Sequence, residues 1–280
     1  MVRRTFLSTL TAGLLRAQKH LEPFFEGTRG TAVLVDVATK KILAVHAPEV
    51  AGRLLAPPGS TVKPFTIAAL FESGKLRPGD SFRCPGILEI GGYNLSCSHP
   101  EGLPPMQARS AIAYSCNCFV ARYATQFAPG ELARSFGRFG LLSRTAWIEE
   151  DVAGELTHTD VRLQALGEAG VSVTAAGLAM AYTRLATATG RAWMAPVLGG
   201  MEDAVEFGTA QRARIATVKV AGKTGSVRAN DGAHLAWFAG FVPTVAPKLA
   251  VAVMVQGQSG GADAAPLASR ILDAAWRGTL

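Results

Sequence analysis

The chain has 280 residues, of which 49% are hydrophobic and 18% are charged, with 30 glycines and 15 prolines. This ordinary globular composition excludes a disordered chain, a collagen and a coiled coil. The net charge of +7 comes from scattered basic residues, which disfavours nucleic-acid binding, and no apolar run reaches the roughly 18 residues of a membrane-spanning helix.

The first 17 residues have the pattern of an export signal. Arg3 and Arg4 precede a short apolar stretch, residues 5–15, which small and basic residues follow. The arginine pair is also similar to a twin-arginine signal, which exports folded proteins. We therefore expect an exported protein, periplasmic or extracytoplasmic, whose leader is cleaved or acts as a tether, with residues 18–280 as the folded unit. The alternative is an N-terminal helix that stays attached.

The folded part opens with a predicted hairpin. Residues 31–37 and 41–46 are rich in β-branched and apolar residues and flank a short turn. Pro-Pro-Gly at residues 57–59 then interrupts regular structure, and a helix is predicted over residues 60–73. Ser60 is the expected N-cap of this helix, and Pro64 is tolerated because it lies in the first turn.

The middle of the chain is predicted to be helical after a loop-rich stretch, residues 76–105. Helices are expected over residues 106–127, with one break, and over residues 131–139 and 173–188. We expect these helices to form a lobe, approximately residues 75–200, inserted into the sheet domain.

Three further strands are predicted near the end of the chain, over residues 216–221, 234–241 and 249–255, before a closing helix over residues 263–276. Strands at both ends with helices between them predict an α+β fold. Its expected form is a five-stranded antiparallel sheet, with its terminal strands adjacent, flanked by helices and carrying an all-helical lobe.

Four cysteines allow three pairings. Cys84 and Cys97 flank a glycine-rich loop, so a disulfide between them is expected, with a stabilisation of about 2–3 kcal/mol by loop entropy. Cys116 and Cys118 are too close in sequence to pair comfortably. A zinc site that uses His99 lacks the usual CxxC or HxxxH spacing and is disfavoured.

Ser60 and Lys63 form an SxxK pattern at a helix start. Residues three apart share a helical face, so the hydroxyl and the amine can meet. A serine hydroxyl becomes a good nucleophile when a base removes its proton, and a lysine amine is that base only when burial or a second cation keeps it neutral.

Two further motifs follow in order. Ser115 and Asn117 are two residues apart, so both can face one site only if the helix breaks between them. Residues 223–226 read Lys-Thr-Gly-Ser and are expected at the end of a strand. A cation at Lys223 can lower the proton affinity of Lys63 and attract a substrate carboxylate. The hydroxyls of Thr224 and Ser226 can donate hydrogen bonds to that carboxylate. Gly225 lets a substrate backbone approach the strand.

Each motif taken alone also has a structural explanation in place of a catalytic one, as a helix cap, a solvated charge or a turn. Residues 222–224 also mimic the end of a P-loop, but Thr217 stands where that loop needs glycine, and no GxSxG pattern of an α/β-hydrolase occurs. The joint occurrence of three motifs in this order therefore carries the interpretation.

The three motifs together form the set typical of penicillin-binding proteins and class A β-lactamases. The sequence around the motifs resembles the transpeptidase domain of class B penicillin-binding proteins over nearly the whole chain, from about residue 31 to residue 268. Glu168 replaces the Gln that is usual in the turn before a helix. The similar segments are residues 58–66, 114–119, 166–174, 221–226 and 236–243.

The resemblance implies a serine D,D-peptidase that acts on D-Ala-D-Ala stem peptides of peptidoglycan. Ser60 would attack the peptide carbonyl and form an acyl-enzyme, with Lys63 as base. Ser115 would relay a proton to the leaving amine, and Asn117 would orient Lys63 and the substrate amide. An amine acceptor completes transpeptidation and water completes carboxypeptidation.

The resemblance also implies that residues 223–226 hold the substrate carboxylate and that the N–H groups of Ser60 and Ser226 form an oxyanion hole. The expected partners are stem peptides and β-lactams, which acylate Ser60. No cofactor or metal is implied, no nucleic acid is expected, and no protein partner can be inferred. Cys116 is expected to be a packed free thiol.

Class B enzymes usually carry a membrane helix and a pedestal domain before the catalytic unit, and we expect neither in this sequence, whose first predicted strand begins at residue 31. Two alternatives stay open. One is a serine β-lactamase that uses an acid near residues 149–151 or Glu155 for deacylation, against a simple solvated acidic turn. The other is a sensor that binds β-lactams or muropeptides without turnover.

Overall fold

The computed structural model describes residues 21–188, 194–229 and 232–280. The predicted leader, residues 1–17, lies outside these ranges. Within them, every helix is too short or too polar to cross a bilayer.

One antiparallel sheet organises the molecule, with strand order β2-β1-β9-β8-β7. The first hairpin and the three late strands form it, which confirms the predicted five-stranded sheet. β1 pairs with β9, so the first and last strands are adjacent. The strands are β1 Gly30–Asp36, β2 Lys41–His46, β7 Ala221–Arg228, β8 His234–Val242 and β9 Leu249–Gln256.

The strand predicted over residues 216–221 is wrong in its position. β7 begins at Ala221 and continues to Arg228, because these are the residues that pair with β8. Residues 215–218 form a tight turn instead, closed by a bridge between Ile215 and Val218. The Lys-Thr-Gly-Ser motif therefore lies inside an edge strand and not at its end.

Helices fill most of the chain between β2 and β7, and one helix follows β9. The predicted helices over residues 131–139, 173–188 and 263–276 are present with small shifts, and α1, α6 and α8 were not predicted. The helices are α1 Pro48–Arg53, α2 Lys63–Glu72, α3 Ala108–Ala113, α4 Asn117–Ala124, α5 Glu131–Phe139, α6 Val161–Leu166, α7 Ala175–Thr187, α8 Ala195–Glu206 and α9 Ala265–Trp276.

Two short pairs of strands interrupt the helical part. The first is a hairpin of β3 (Glu89–Ile90) and β4 (Tyr93–Asn94), and the second pairs β5 (Glu155–Leu156) with β6 (Val171–Ser172), with α6 between them in the chain. The β3–β4 hairpin lies in the loop-rich stretch expected over residues 76–105.

The sheet has a hydrophobic core on each face, because side chains alternate along its strands. Trp237 of β8 faces the helical part of the chain together with Phe65 and Tyr182. Its neighbour Phe238 faces the opposite way and packs with Ile271 of α9. All five side chains are buried, so the central strands are held rigidly from both sides.

The helix predicted from Ser60 begins later. Residues Gly59–Val62 form a 3-10 turn and α2 starts at Lys63, so Ser60 is not an N-cap. This start places Pro64 in the first turn of α2, where its missing N–H costs nothing. The turn before the helix leaves the Ser60 side chain partly exposed.

Candidate active site

Two buried lysines meet at one serine hydroxyl. Lys63 Nζ lies 3.1 Å from Ser115 Oγ, and Lys223 Nζ lies 2.9 Å from the same oxygen. Both lysine side chains are fully shielded from solvent. The three motif segments, which are far apart in the sequence, therefore converge as the sequence predicted.

The break between α3 and α4 directs the Ser115 side chain toward the two lysines. α3 ends at Ala113 and α4 begins at Asn117, with Ser115 between them at a φ of +57°. This left-handed conformation costs a non-glycine residue roughly 1–2 kcal/mol. It turns the Ser115 carbonyl as well as its hydroxyl toward Lys63 Nζ, which donates to that carbonyl at 2.8 Å.

Asn117 occupies the other side of the first lysine. Lys63 Nζ donates a short hydrogen bond to Asn117 Oδ1. The amide nitrogen of Asn117 donates to the backbone carbonyl of Leu95 at 2.9 Å, which fixes the orientation of the amide. Asn117 thereby holds the Lys63 amine in one position.

Burial lowers the proton affinity of both amines. Desolvation lowers the pKa of Lys63 to about 8, against the opposing effect of the Glu168 carboxylate. Desolvation, and then repulsion by Lys63, hold the pKa of Lys223 well below its usual range. Roughly one-tenth of the Lys63 amine is therefore neutral at pH 7, and about half is neutral at pH 8.

The turn that carries Ser60 rests on the sheet. Trp237 Nε1 donates to the Pro57 carbonyl at 3.1 Å. A Cβ on Gly225 would lie 2.6 Å from the Pro58 carbonyl oxygen, so only glycine allows this close packing. Gly225 therefore makes room for the turn that carries Ser60, and its expected role beside a substrate backbone stays a prediction.

Ser60 itself lies beside the lysine cluster in sequence but is not bonded to it. Within residues 21–188, 194–229 and 232–280, no hydrogen bond joins its hydroxyl to Lys63. A Cβ built on Gly59 would lie 3.3 Å from the backbone nitrogen of Ser226, so the backbone beside Ser60 approaches the edge strand. This juxtaposition fits the predicted oxyanion hole, which stays a prediction.

The two hydroxyls of the edge strand have protein partners. Thr224 Oγ1 donates to Thr209 Oγ1 at 2.9 Å, and Ser226 Oγ accepts from Gly260 N–H at 2.9 Å. Sequence reasoning missed Thr209, which carries no motif and reaches the strand only through the fold.

Glu168 is an acid whose charge is coupled to that of Lys63. Its carboxylate interacts with Lys63, and burial raises the pKa of Glu168 while Lys63 opposes that rise. The sequence signal was the replacement of the usual Gln by Glu, to which no role had been assigned.

Two of the acids considered for deacylation have structural contacts. Asp151 is buried and accepts hydrogen bonds from the backbone of Thr145 and Ala146 at 2.6 and 3.0 Å. Glu150 pairs with Arg53 at 3.1 Å on the surface. These contacts favour the solvated or loop-closing interpretation of this acidic turn.

The four cysteines converge near the helix break. The sulfurs of Cys84 and Cys97 lie 3.6 Å apart and all four cysteines are free thiols, so the expected disulfide stays a prediction. Cys116 is buried, and its expected role as a packed free thiol stays a prediction.

The site thus combines two buried lysines that meet at one serine hydroxyl with a five-stranded antiparallel sheet that has helices on both faces. Residues 30–191 and 193–273 match the family model described as penicillin binding protein transpeptidase domain. The chain therefore belongs to this family, as the resemblance indicated.

Its relatives include proteins named for one activity. The chain is 26% identical over 273 residues to "Peptidoglycan D,D-transpeptidase PbpA" of Mycobacterium tuberculosis, covering 79% of this chain and 55% of that protein. It is also 26% identical to "Probable peptidoglycan D,D-transpeptidase PenA" of Neisseria flavescens, covering 89% and 75%. The chain thus spans about half the length of the first of these relatives.

Solved structures share the fold. A crystal structure of Pseudomonas aeruginosa PBP2 in complex with WCK 5153 matches with a TM-score of 0.80 and 22% identity, covering 93% of this chain and 74% of that one. A peptidoglycan glycosyltransferase from Burkholderia ambifaria matches with a TM-score of 0.80 and 23% identity, covering 97% and 96%. These matches confirm the predicted α+β architecture.

Proposed function

We propose that this protein is a serine D,D-transpeptidase or D,D-carboxypeptidase that acts on peptidoglycan stem peptides ending in D-Ala-D-Ala and is acylated by penicillins. The observation that carries the proposal is the placement of two solvent-shielded amines 3.1 and 2.9 Å from the Ser115 hydroxyl. The family membership and the names of the relatives support it.

In the acylation step, Ser60 Oγ attacks the carbonyl carbon of the penultimate D-Ala, and its proton passes to the neutral amine of Lys63. The tetrahedral oxyanion is held by the N–H groups of Ser60 and Ser226. When the C–N bond breaks, the leaving amine takes a proton through Ser115, which lies between the two lysines. Water or an amine acceptor then releases the acyl group from Ser60.

The edge strand supplies recognition of the terminal carboxylate. Lys223 has a lowered pKa while it faces only Lys63, and an arriving carboxylate favours its charged form. Thr224 and Ser226 lie on the same strand and contribute hydroxyls. Substrate binding therefore favours the protonated form of Lys223. Its positive charge in turn favours the neutral form of Lys63.

The site of action we propose is the cell wall outside the cytoplasm. The basis is the peptidoglycan activity named for the relatives, together with the export pattern of residues 1–17. The division into a leader and a single catalytic domain with an inserted helical lobe is part of the same proposal.

The proposal is tested by incubating the full chain with a stem pentapeptide and, separately, with nitrocefin. We expect release of free D-Ala, with a cross-linked product when an amine acceptor is added, and consumption of nitrocefin that stops near one turnover. Rapid nitrocefin turnover without D-Ala release would favour the β-lactamase alternative. A stable acyl-enzyme without D-Ala release would favour the sensor.

Glu168→Gln is expected to shift the pH dependence of acylation to lower pH. The Glu168 carboxylate raises the pKa of Lys63, so its removal leaves more neutral amine below pH 8. The measurement is the rate of acylation by a labelled penicillin across a pH series. Glu149→Gln, which neutralises an exposed acid, is the matched control and should leave the profile in place. A profile that moves to higher pH in Glu168→Gln would contradict this coupling.

A further inference from the structure

Five potential metal ligands converge beside the catalytic segment, in a place that the proposed reaction does not use. Cys84, Cys97 and His99 come from the loop around β3 and β4. Cys116 and Cys118 come from the helix break and the first turn of α4. Ligand atoms of Cys84, Cys97, His99 and Cys116 all lie within 4.8 Å of one another.

The spacing of the sulfurs suits a metal better than a disulfide. Cys97 Sγ lies 3.6 Å from Cys84 Sγ and 3.8 Å from Cys116 Sγ. A tetrahedral zinc with Zn–S bonds of about 2.3 Å holds its sulfurs about 3.8 Å apart, whereas a disulfide needs about 2.05 Å. Cys97 is nearly equidistant from its neighbours, so the geometry singles out no disulfide partner.

His99 has the arrangement of a metal-binding imidazole. Its Nδ1 lies 3.0 Å from the Pro100 carbonyl and donates to it, which leaves Nε2 as the unprotonated nitrogen. Nε2 is shielded from solvent and has no hydrogen-bond partner among the described residues. A backbone carbonyl that fixes the tautomer is typical of the second shell of metal-bound histidines.

Two of these sulfurs accept hydrogen bonds from backbone N–H groups. Cys84 Sγ accepts a hydrogen bond from Gly86 N–H at 3.3 Å, and Cys116 Sγ accepts one from Phe119 N–H at 3.5 Å. Backbone donors of this kind stabilise thiolates. Cys118 differs, because its thiol donates to the Ile87 carbonyl at 3.6 Å and so acts as a protonated group.

We propose that Cys84, Cys97, Cys116 and His99 bind a structural zinc ion in a closed tetrahedral site, with Cys118 as a packed thiol beside it. The binding releases the thiol protons of the three ligating cysteines. Cys116 lies between Ser115 and Asn117, so the ion ties the loop around β3 and β4 to the helix break that positions both side chains. The sequence spacing gave no sign of this site, because the ligands meet only in the fold.

The test is zinc content after the full chain is incubated with Zn²⁺ in the presence of reductant and then desalted. We expect about one zinc per chain in the wild type, as in structural sites of this kind. Cys97→Ser and His99→Ala should fall to the background of the buffer, while Cys118→Ser, the matched control, should keep its zinc. His99 is partly exposed, so its variant decides the matter if Cys97→Ser does not fold.

Wild-type protein that retains no zinc, or a Cys97→Ser variant that binds as much as the wild type, would overturn the proposal. Loss of zinc in Cys118→Ser would overturn the assigned ligand set. Thiol titration of protein purified without reductant provides the opposing outcome: a Cys84–Cys97 disulfide in zinc-treated protein would replace the metal site. Cobalt substitution gives a second readout, because tetrahedral thiolate coordination produces visible absorption bands that do not depend on activity.

Discussion

Ser60→Ala is expected to abolish covalent labelling by penicillin and all release of D-Ala, while the protein keeps its fold. The hydroxyl of Ser60 has no hydrogen-bond partner among the described residues, so its removal leaves no buried group unsatisfied. We therefore expect a change of less than about 0.5 kcal/mol in the free energy of unfolding. The measurement is intact mass after incubation with a labelled penicillin, which should show one adduct in the wild type and none in the variant.

The control for this experiment is Ser73→Ala, the next serine along the chain, whose hydroxyl bonds the Ala69 carbonyl in the last turn of α2. It should label like the wild type. An adduct that persists in Ser60→Ala, or that maps to Ser115 or Cys116, would falsify the assignment of the nucleophile.

Lys63→Arg is expected to reduce the acylation rate by about 10²–10⁴-fold, which is the usual contribution of a positioned base. A guanidinium stays protonated at every accessible pH and so cannot accept the proton of Ser60. In the wild type, the same argument predicts an acylation rate that rises with pH through about 8, the pKa to which burial lowers Lys63, and then levels off. Below that pH the amine is protonated and inactive as a base.

The matched control for this prediction is Lys219→Arg, the same substitution at an exposed lysine that pairs with Glu202. It should leave both the rate and its pH dependence unchanged. Normal acylation by Lys63→Arg, or a rate that is flat between neutral pH and pH 9, would remove Lys63 from the role of base.

Local sequence patterns predict the parts of the site that depend on residue spacing within one helix or strand. The SxxK pair places Lys63 one turn after Ser60, and two polar residues at Ser115 and Asn117 require a helix break wherever both face one lysine. The structure contains that break and brings Lys223 to the same hydroxyl. Strand alternation likewise predicts which terminal strands form the sheet.

The parts that could not be predicted depend on partners distant in sequence. β7 begins at Ala221 because its residues find partners in β8, and nothing local distinguishes this start from Ala216. Thr209 reaches the edge strand from a segment that carries no motif, and Glu168 lies in a recognised turn whose electrostatic link to Lys63 depends on the fold. Spacing along the chain disfavoured a zinc site that uses His99 for the same reason, because the proposed ligands come from a loop and a helix start.

The central position of β9 in the sheet has a consequence for folding during translation. This strand, Leu249–Gln256, pairs with β1 on one side and β8 on the other. Until it leaves the ribosome, the N-terminal hairpin has no neighbour to cover its inner edge, and the nascent chain exposes apolar strands that are prone to aggregate. We expect translation to be almost complete before the domain closes, so a chaperone that holds the emerging chain would determine its yield.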